Sequence, residues 1–466
     1  MAVSPSDSKS PNRWQQGNLV EVEITDLGDR GEGVGRSEGR VAFVPDTVPG
    51  DRAIVRLVRV KRQYARGKLH QLIEASPHRR QPRCIVADKC GGCQWQHIED
   101  EYQLHAKRDR VVQALERIAH FDRPPVDDEV IAIAPLDYRN KATYPVGRAQ
   151  SGGVQAGYYR KGSHRLVNLN RCPVQDDRLD PFLAEIKQDI ERRGWSIYDE
   201  RRHQGNIRHI GLRLGRRTGE VLLTLVARSD RLSGLDEQAK EWMQRYPQLV
   251  GVCLNLNRDR TNAIFGNDTR CAIGRSYLEE QFAGLTFQLR PETFFQVNTE
   301  AAEALLDAAI VQLEVQGSEL LLDAYCGVGT FTLPLARRVR EAIGIEVQES
   351  AVEQARENAR INGIDNATFV AGKVEAVLGQ LEETPDVVLL DPPRKGCDRA
   401  VLQTLLDLAP DRIVYISCKP STLARDLAIL CAEGSYRLTR VQLADFFAQT
   451  AHVEAAAFLN RAEALN

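Results

Sequence analysis

The sequence predicts an α/β protein: a Rossmann-like, doubly wound sheet towards its end, a small OB-like β-barrel near its start, and a mixed α+β region between them. Three observations carry that reading. From residue 291 onward, apolar strands alternate with amphipathic helices, the pattern of a mostly parallel sheet covered on both faces. Residues 15–75 hold five short alternating segments broken by glycine, with no room for a helix, which indicates a small barrel. A length of 466 residues implies several domains at about 100–200 residues each. Hydrophobic residues at 42% and charged residues at 27%, with no run of about 18 apolar residues, exclude a disordered, collagenous or membrane-spanning chain. The opening MAVSPSDSKSPNRW has no apolar core of a secretory signal, and ten cysteines are too sparse for a disulfide scaffold. The chain therefore reads as cytoplasmic, with cysteines available for thiol or metal chemistry.

In order, residues 1–14 read as a disordered tail rich in Ser and Pro. The barrel strands are LVEVEIT, GEGVGR, RVAFVP, DRAIVRLVRV and ARGKLHQLIEA. Residues 76–290 form the central region. It opens with Cys84, Cys90 and Cys93, then a helix from about Glu99 to Ala119 with Leu104, Val111, Val112, Leu115 and Ile118 on one face. Strands GVQAGYY, IRHIGLRL and EVLLTLVAR and a helix near 180–193 follow, in a pattern that assigns no fold. In residues 291–466 the strands are ELLLDA, EAIGIE, ATFVAG, DVVLLD and RIVYIS, each followed by a helix, and a closing pair, RLTRVQLADFF and VEAAAFLN, adds an antiparallel edge.

The net charge of −2 hides a local bias. Residues 52–83 carry ten Lys and Arg against one acid, Glu74, and a second cluster runs through Arg192, Arg193, Arg201, Arg202, Arg208, Arg213, Arg216 and Arg217. One such stripe is as readily a solvated face; two tip the reading towards the phosphates of a nucleic acid.

Four constellations suggest chemistry. Asp323-Ala-Tyr325-Cys-Gly327-Val-Gly329-Thr330 turns from strand to helix, and Glu346, 23 positions after Asp323, ends the next strand where an acid can accept from ribose hydroxyls. Without a third spaced glycine, and with Asp323 and Tyr325 crowding a pyrophosphate, the loop suits a single nucleoside such as S-adenosylmethionine better than a dinucleotide. Asp391-Pro-Pro-Arg394 follows a strand directly, so the prolines hold the acid at the sheet's carboxyl rim; Arg394 stands where amine-methylating enzymes place an aromatic. Cys418, before helix STLARD and beside Lys419, is placed as a thiolate nucleophile, whereas Cys253, Cys271, Cys326, Cys397 and Cys431 read as small buried hydrophobes. Finally, Cys84-x5-Cys90-x2-Cys93 with Cys172 offers four thiolates for [4Fe–4S] or zinc, the spacing leaning towards a closed iron–sulfur site. Glu454, by itself, looks like any surface Glu.

The barrel segment resembles a TRAM domain, and CxxxxxCGGC, FFQVN, DAYCGVGTFTLPLA, DPPRKG, SCKPSTLARD and HVE together resemble the RNA (uracil-5-)-methyltransferase family, in its TRAM and iron–sulfur branch acting on 23S ribosomal RNA. The resemblance implies a methyltransferase sheet, Cys418 as nucleophile and Glu454 as base. It implies Gln296, Tyr325, Thr330, Glu346 and Asp391 towards S-adenosylmethionine or the target base, and Cys84, Cys90, Cys93 and Cys172 on a [4Fe–4S] cluster. It departs from the family's pattern at Ala324, Ala448 and Lys373, and Lys373 is left out of the site. The expected enzyme is a monomer that methylates a flipped or looped uridine of ribosomal RNA, without a membrane. A transfer-RNA uridine methyltransferase is the alternative; a cytosine C5-methyltransferase, a radical methylthiotransferase and a non-enzymatic RNA-binding protein rank below it.

Overall fold

A computed structural model describes residues 14–462. They divide into two compact units, one reaching Ala106 and taking in Gln449–Ala451, the other holding Lys107–Ala448 and the residues from His452. The tail expected over residues 1–14 lies outside the described residues except for Trp14, which is buried (5% exposed) in the barrel core.

In the first unit, β1 (Leu19–Leu27), β2 (Gly33–Ser37), β3 (Arg40–Val44), β4 (Arg52–Val60) and β5 (Tyr64–Glu74) close into a barrel of order β1-β2-β3-β5-β4. Alternation drives it: Ala53, Val55 and Leu57 of β4 point inward while Arg52 and Arg56 are exposed. Gly67 is obligatory, since a Cβ there would lie 2.1 Å from Val55 Cγ1. Past the barrel, Trp95 and Ile98 are wholly buried against Leu27 and Val48, and Trp95 Nε1 donates to the Gly31 carbonyl at 3.0 Å. The basic run divides at this point. Arg79 is paired with Asp51, and Arg80 and Arg83 with Asp100, whereas Arg59, Lys61, Arg62 and Lys68 are exposed on β4, β5 and the turn between them.

Helix α1 (Asp100–Arg117) agrees with expectation; Val111 and Leu115 are fully buried, but Ile118 is 41% exposed, beyond the helix end. Strand β6 (Val126–Ile131) follows. Then β7 (Lys141–Arg148), β8 (Val154–Tyr159), β9 (Leu166–Asn168), β10 (Ile207–Leu214), β11 (Val221–Ala227), β12 (Leu249–Leu256) and β13 (Asp268–Gly274) form a seven-stranded sheet of order β13-β12-β11-β10-β7-β8-β9. Helices α2 (Asp180–Arg192) and α3 (Leu235–Arg245) are tied by Trp242 Nε1 donating to Asp189 at 2.6 Å. A hairpin, β14 (Leu278–Phe282) and β15 (Leu285–Leu289), leads to α4 (Thr299–Leu313), capped by Asn298.

The second sheet comprises β16 (Leu320–Ala324), β17 (Glu341–Glu346), β18 (Ala367–Ala371), β19 (Val387–Leu390), β20 (Arg412–Ser417), β21 (Tyr436–Ala444) and β22 (Glu454–Arg461). Its helices are α5 (Thr332–Ala336), α6 (Glu349–Ile361), α7 (Val374–Val377), α8 (Arg399–Leu408) and α9 (Pro420–Leu430). The order is β18-β17-β16-β19-β20-β22-β21-β6, parallel from β18 to β20 and antiparallel at β20–β22 and β22–β21. Every residue of β16 and β19 is buried, as strands covered on both faces require, and each such Leu stabilises the sheet by about 1.5–3 kcal/mol. Two elements differ from expectation. The helix read over TFTLPLARRV shrinks to Thr332–Ala336, and the outermost strand, β6, comes from well before residue 291, pairing in parallel with β21. No helix among the described residues is long and apolar enough to cross a membrane.

Candidate active site

Strand order places the functional side chains. The chain runs outward from β16 to β18, then returns to β19 and β20 on the other side, so the loops after β16 and β19 flank the switch point where open α/β sheets bind ligands. Asp323 and Tyr325 sit at the end of β16, Glu346 ends β17, Asp391 follows β19 and Cys418 follows β20, all on one carboxyl rim. Because β22 runs antiparallel to β20, its first residue, Glu454, starts at that same rim. Register makes this specific: Ser417 pairs with Ala455, so one residue further along Cys418 comes opposite Glu454.

The loop from Tyr325 to Gly329 is shaped for close approach of a ligand. Tyr325 (φ 88°), Gly327 (φ 55°) and Gly329 (φ 84°) are left-handed, a conformation that strains a tyrosine. The Gly327 N–H donates to one oxygen of Glu346 at 3.3 Å and that of Gln348 to the other at 2.8 Å, which fixes the carboxylate. Asp323 is 1% exposed; one oxygen accepts from the Thr332 hydroxyl at 2.5 Å, and the other has no partner among the described residues. Burial, with Glu346 nearby, pushes its carboxyl up to about 7. Burial and Asp323 push Asp391 up to about 7 as well. A rim with an orphaned buried carboxyl oxygen, a second raised carboxyl and an oriented acid fits a ligand bearing ribose hydroxyls and positive charge, as S-adenosylmethionine does. Thr330 is buried in this loop, and Gln296, 7% exposed, lies ahead of α4 with its carbonyl accepting from Asn140 at 2.9 Å.

Cys418 is half-buried, one residue before the α9 cap Lys419. One expectation is reversed here. Burial pushes the thiol up, as do Glu454 and Asp391, and the cation opposing them is Arg394; Lys419 is exposed. Arg394 also reaches His452 Nε2 at 3.3 Å, and burial with Arg394 holds His452 down at about 4, so its ring is neutral. Glu454 is 7% exposed, and burial followed by Asp391 raises its carboxyl well above the usual range. The sequence motifs give Arg394 and His452 no role here; the charge of Arg394 beside the thiol and its contact with His452 reveal one. The loop carrying Arg394 is locked to α9: Asp426, fully buried, accepts from the Tyr415 hydroxyl at 2.5 Å and from Cys397 N–H at 2.9 Å. Before β22, Lys107, also fully buried, pairs with Asp445 at 2.6 Å. Of the cysteines read as inert, Cys253, Cys326 and Cys397 are buried, while Cys271 and Cys431 are half-buried.

The four cluster cysteines are divided between the two units. Cys84, Cys90 and Cys93 occupy a stretch of the first unit without helix or strand; Cys172 belongs to the second unit, after β9. Among the described residues no group of three or more His, Cys, Asp or Glu is arranged to hold a metal ion, and no step is routed through one.

The second basic cluster is also corrected. Arg208 and Arg213 are buried and donate to backbone carbonyls, Arg192 and Arg193 pair with Glu241, Arg216 with Asp176 and Glu300, and Arg217 with Glu303. These arginines are engaged within the fold, Arg192 and Arg217 at its exposed surface; Arg202 lies 3.9 Å from Asp199, and Arg201 is exposed without an ion pair among the described residues.

Comparison with known proteins supplies the placement. The family model described as tRNA (Uracil-5-)-methyltransferase matches residues 265–462, and the TRAM domain model matches 13–70. An uncharacterised RNA methyltransferase of Nostoc sp. is 64% identical over 96% of this chain and 97% of its own. One of Synechocystis sp. is 58% identical over 98% and 99%. The crystal structure of Pyrococcus abyssi tRNA (uracil-54, C5)-methyltransferase in complex with S-adenosyl-L-homocysteine is similar at a TM-score of 0.75, with 29% identity, covering 94% of this chain and 100% of that one. With full-length relatives named for RNA methylation and a uracil-specific model lying over the strands that build the rim, the chain belongs to the TRAM-bearing, S-adenosylmethionine-dependent RNA (uracil-5-)-methyltransferase family.

Proposed function

We propose that the enzyme methylates C5 of a uridine in 23S ribosomal RNA through a transient bond between Cys418 and C6. The observation that carries the mechanism is the pairing of Ser417 with Ala455, which sets the next residue of one strand, Cys418, and the first of the other, Glu454, at the rim that also holds Asp391. Uracil C5 is a poor nucleophile. Addition of a thiolate at C6 turns the ring into an enolate whose C5 is electron-rich. S-adenosylmethionine supplies an electrophilic methyl group, and Tyr325, Thr330, Glu346, Asp391 and Gln296 are the residues proposed to hold it and the base. Arg394 favours the thiolate. The ionised Glu454 carboxylate accepts the C5 proton after methyl transfer; the electron pair left behind forms the C5–C6 double bond and breaks the C6–S bond, releasing the Cys418 thiolate. A uridine paired within a helix cannot reach the rim, so the target lies in a loop or flips out.

Sequence features that resemble the ribosomal branch support 23S RNA as substrate. The likeness to a tRNA-modifying structure supports transfer RNA as the second reading. Transfer of labelled methyl to unmodified 23S RNA and to unmodified tRNA separates them; labelled tRNA with unlabelled 23S RNA refutes the first. The spacing of Cys84, Cys90, Cys93 and Cys172 supports a [4Fe–4S] cluster with no part in methyl transfer. Iron and acid-labile sulfide near about four each per chain after anaerobic purification are expected, and their absence refutes it. The proposed enzyme works as a cytoplasmic monomer.

A further inference from the structure

We propose that a cleft at the far end of β7 binds the single-stranded RNA that flanks the target uridine; this rests on the RNA-methylating reading above. The cleft encloses about 1270 Å³ between the ends of β7 and β8, the turn that follows β8, and residues 197–205. Two aromatic rings line it. Tyr159 is 42% exposed with its ring 5.6 Å from that of His164, and Tyr198 carries the Arg208 guanidinium 4.5 Å from its ring centre. Arg148, Arg165 and Arg201 also line it and make no ion pair among the described residues. Its acids are Asp199 and Glu200, and Asp199 is committed to the backbone N–H groups of Arg201 and Arg202. An exposed ring, Tyr159, and a half-buried one, Tyr198, among unpaired arginines supply what single-stranded nucleic acid requires: stacking for bases, charge for phosphates.

Strand β7 ties the cleft to the site. Asn140, just before it, donates to the Gln296 carbonyl and the Thr299 hydroxyl at 2.9 Å each, while Pro145–Arg148 at its other end line the cleft. At ~3.3 Å per residue the cleft lies about 16–26 Å along β7 from the Gln296 loop. That is too far for the reacting base and right for nucleotides a few positions away.

The test uses the full-length protein and a fluorescein-labelled single-stranded oligouridylate of about 12 nucleotides. Tyr159→Ala is expected to weaken binding about tenfold, with Tyr159→Phe restoring it. Arg165→Gln with Arg201→Gln is expected to lower the slope of log K against log salt by about 1.4. S-adenosylhomocysteine affinity, unchanged in all variants, reports that they fold. Wild-type affinity and slope in the variants would overturn the cleft even where wild-type methyl transfer to RNA is intact, as would equal losses on a duplex of the same length. Absence of methyl transfer by the wild type would instead overturn the reading on which it rests.

Discussion

Cofactor affinity should depend on pH, with a size set by two carboxyls, the buried Asp323 and the half-buried Asp391. Asp323 and Asp391 are each held at about 7. At about pH 6 such a group is roughly one-tenth ionised and at about pH 8 roughly nine-tenths. A ligand with a positive sulfonium that binds the ionised form therefore gains about tenfold in affinity across that interval for one coupled group, and more if both respond as a pair. Stability has the opposite sign in the empty protein. The folded chain holds these protons more tightly than the unfolded one, so this contribution is complete below the ordinary carboxyl range and is lost as pH rises through about 7. The rise in Tm on saturation with S-adenosylmethionine should accordingly be larger at about pH 8 than at about pH 6. Calorimetric titration at both values, with S-adenosylhomocysteine as the thioether lacking the sulfonium charge, measures it directly. Asp391→Asn should flatten the S-adenosylmethionine curve. A pH-independent affinity, or one that weakens towards pH 8, would refute the argument that these carboxyls face the ligand.

Other outcomes follow from the same geometry. Glu454→Gln should lower turnover by about 10²–10⁴ while a protein–RNA adduct accumulates on denaturing gels, because C–S bond formation does not need the base but release does; turnover within about threefold of wild type would remove Glu454 from that role. Arg394→Leu should shift the alkaline rise of methyl transfer to higher pH, since the guanidinium opposes burial at the thiol; an unmoved profile would show that Arg394 does not act there. On the barrel, Lys61→Gln with Arg62→Gln should leave stability within about 0.5 kcal/mol and reduce the salt slope of binding to a 23S RNA fragment by about 1.4–1.8. A slope equal to wild type would mean that these side chains touch no phosphate.

Local pattern made the sheets legible. Alternation located all five barrel strands to within a few residues, and unbroken apolar runs located β16, β19 and β20, because strands buried on both faces admit little else. What pattern could not reveal was partnership at long range. Strand β6, VDDEVI, is half acidic and reads as a loop; it is a strand only because β21 offers an edge, with Arg440 pairing Asp127 at 2.7 Å. The seven-stranded sheet escaped assignment for the same reason, its order turning on the pairing of β7 with β10, whose partners such as Lys141 and Arg213 are far apart in the chain. At the site, Cys418, Asp391 and Glu346 were legible from their places at strand ends, whereas Glu454 gained meaning only once β22 was paired antiparallel to β20. Charge was the least legible quantity. Arg208, Arg213, Arg216 and Arg217 look identical in sequence to RNA-binding arginines, yet their guanidinium groups are spent on carbonyls and carboxylates of the fold.

The central claim is a covalent bond between Cys418 and the pyrimidine ring. The most direct measurement is mass spectrometry of the protein after incubation with S-adenosylmethionine and substrate RNA carrying 5-fluorouridine, where fluorine at C5 denies Glu454 a proton to remove. The account predicts a methylated fluoropyrimidine nucleotide on the peptide containing Cys418, and none with Cys418→Ala. Methylated uridine formed at the normal rate by Cys418→Ala, or an adduct mapped to Cys397 instead, would contradict it.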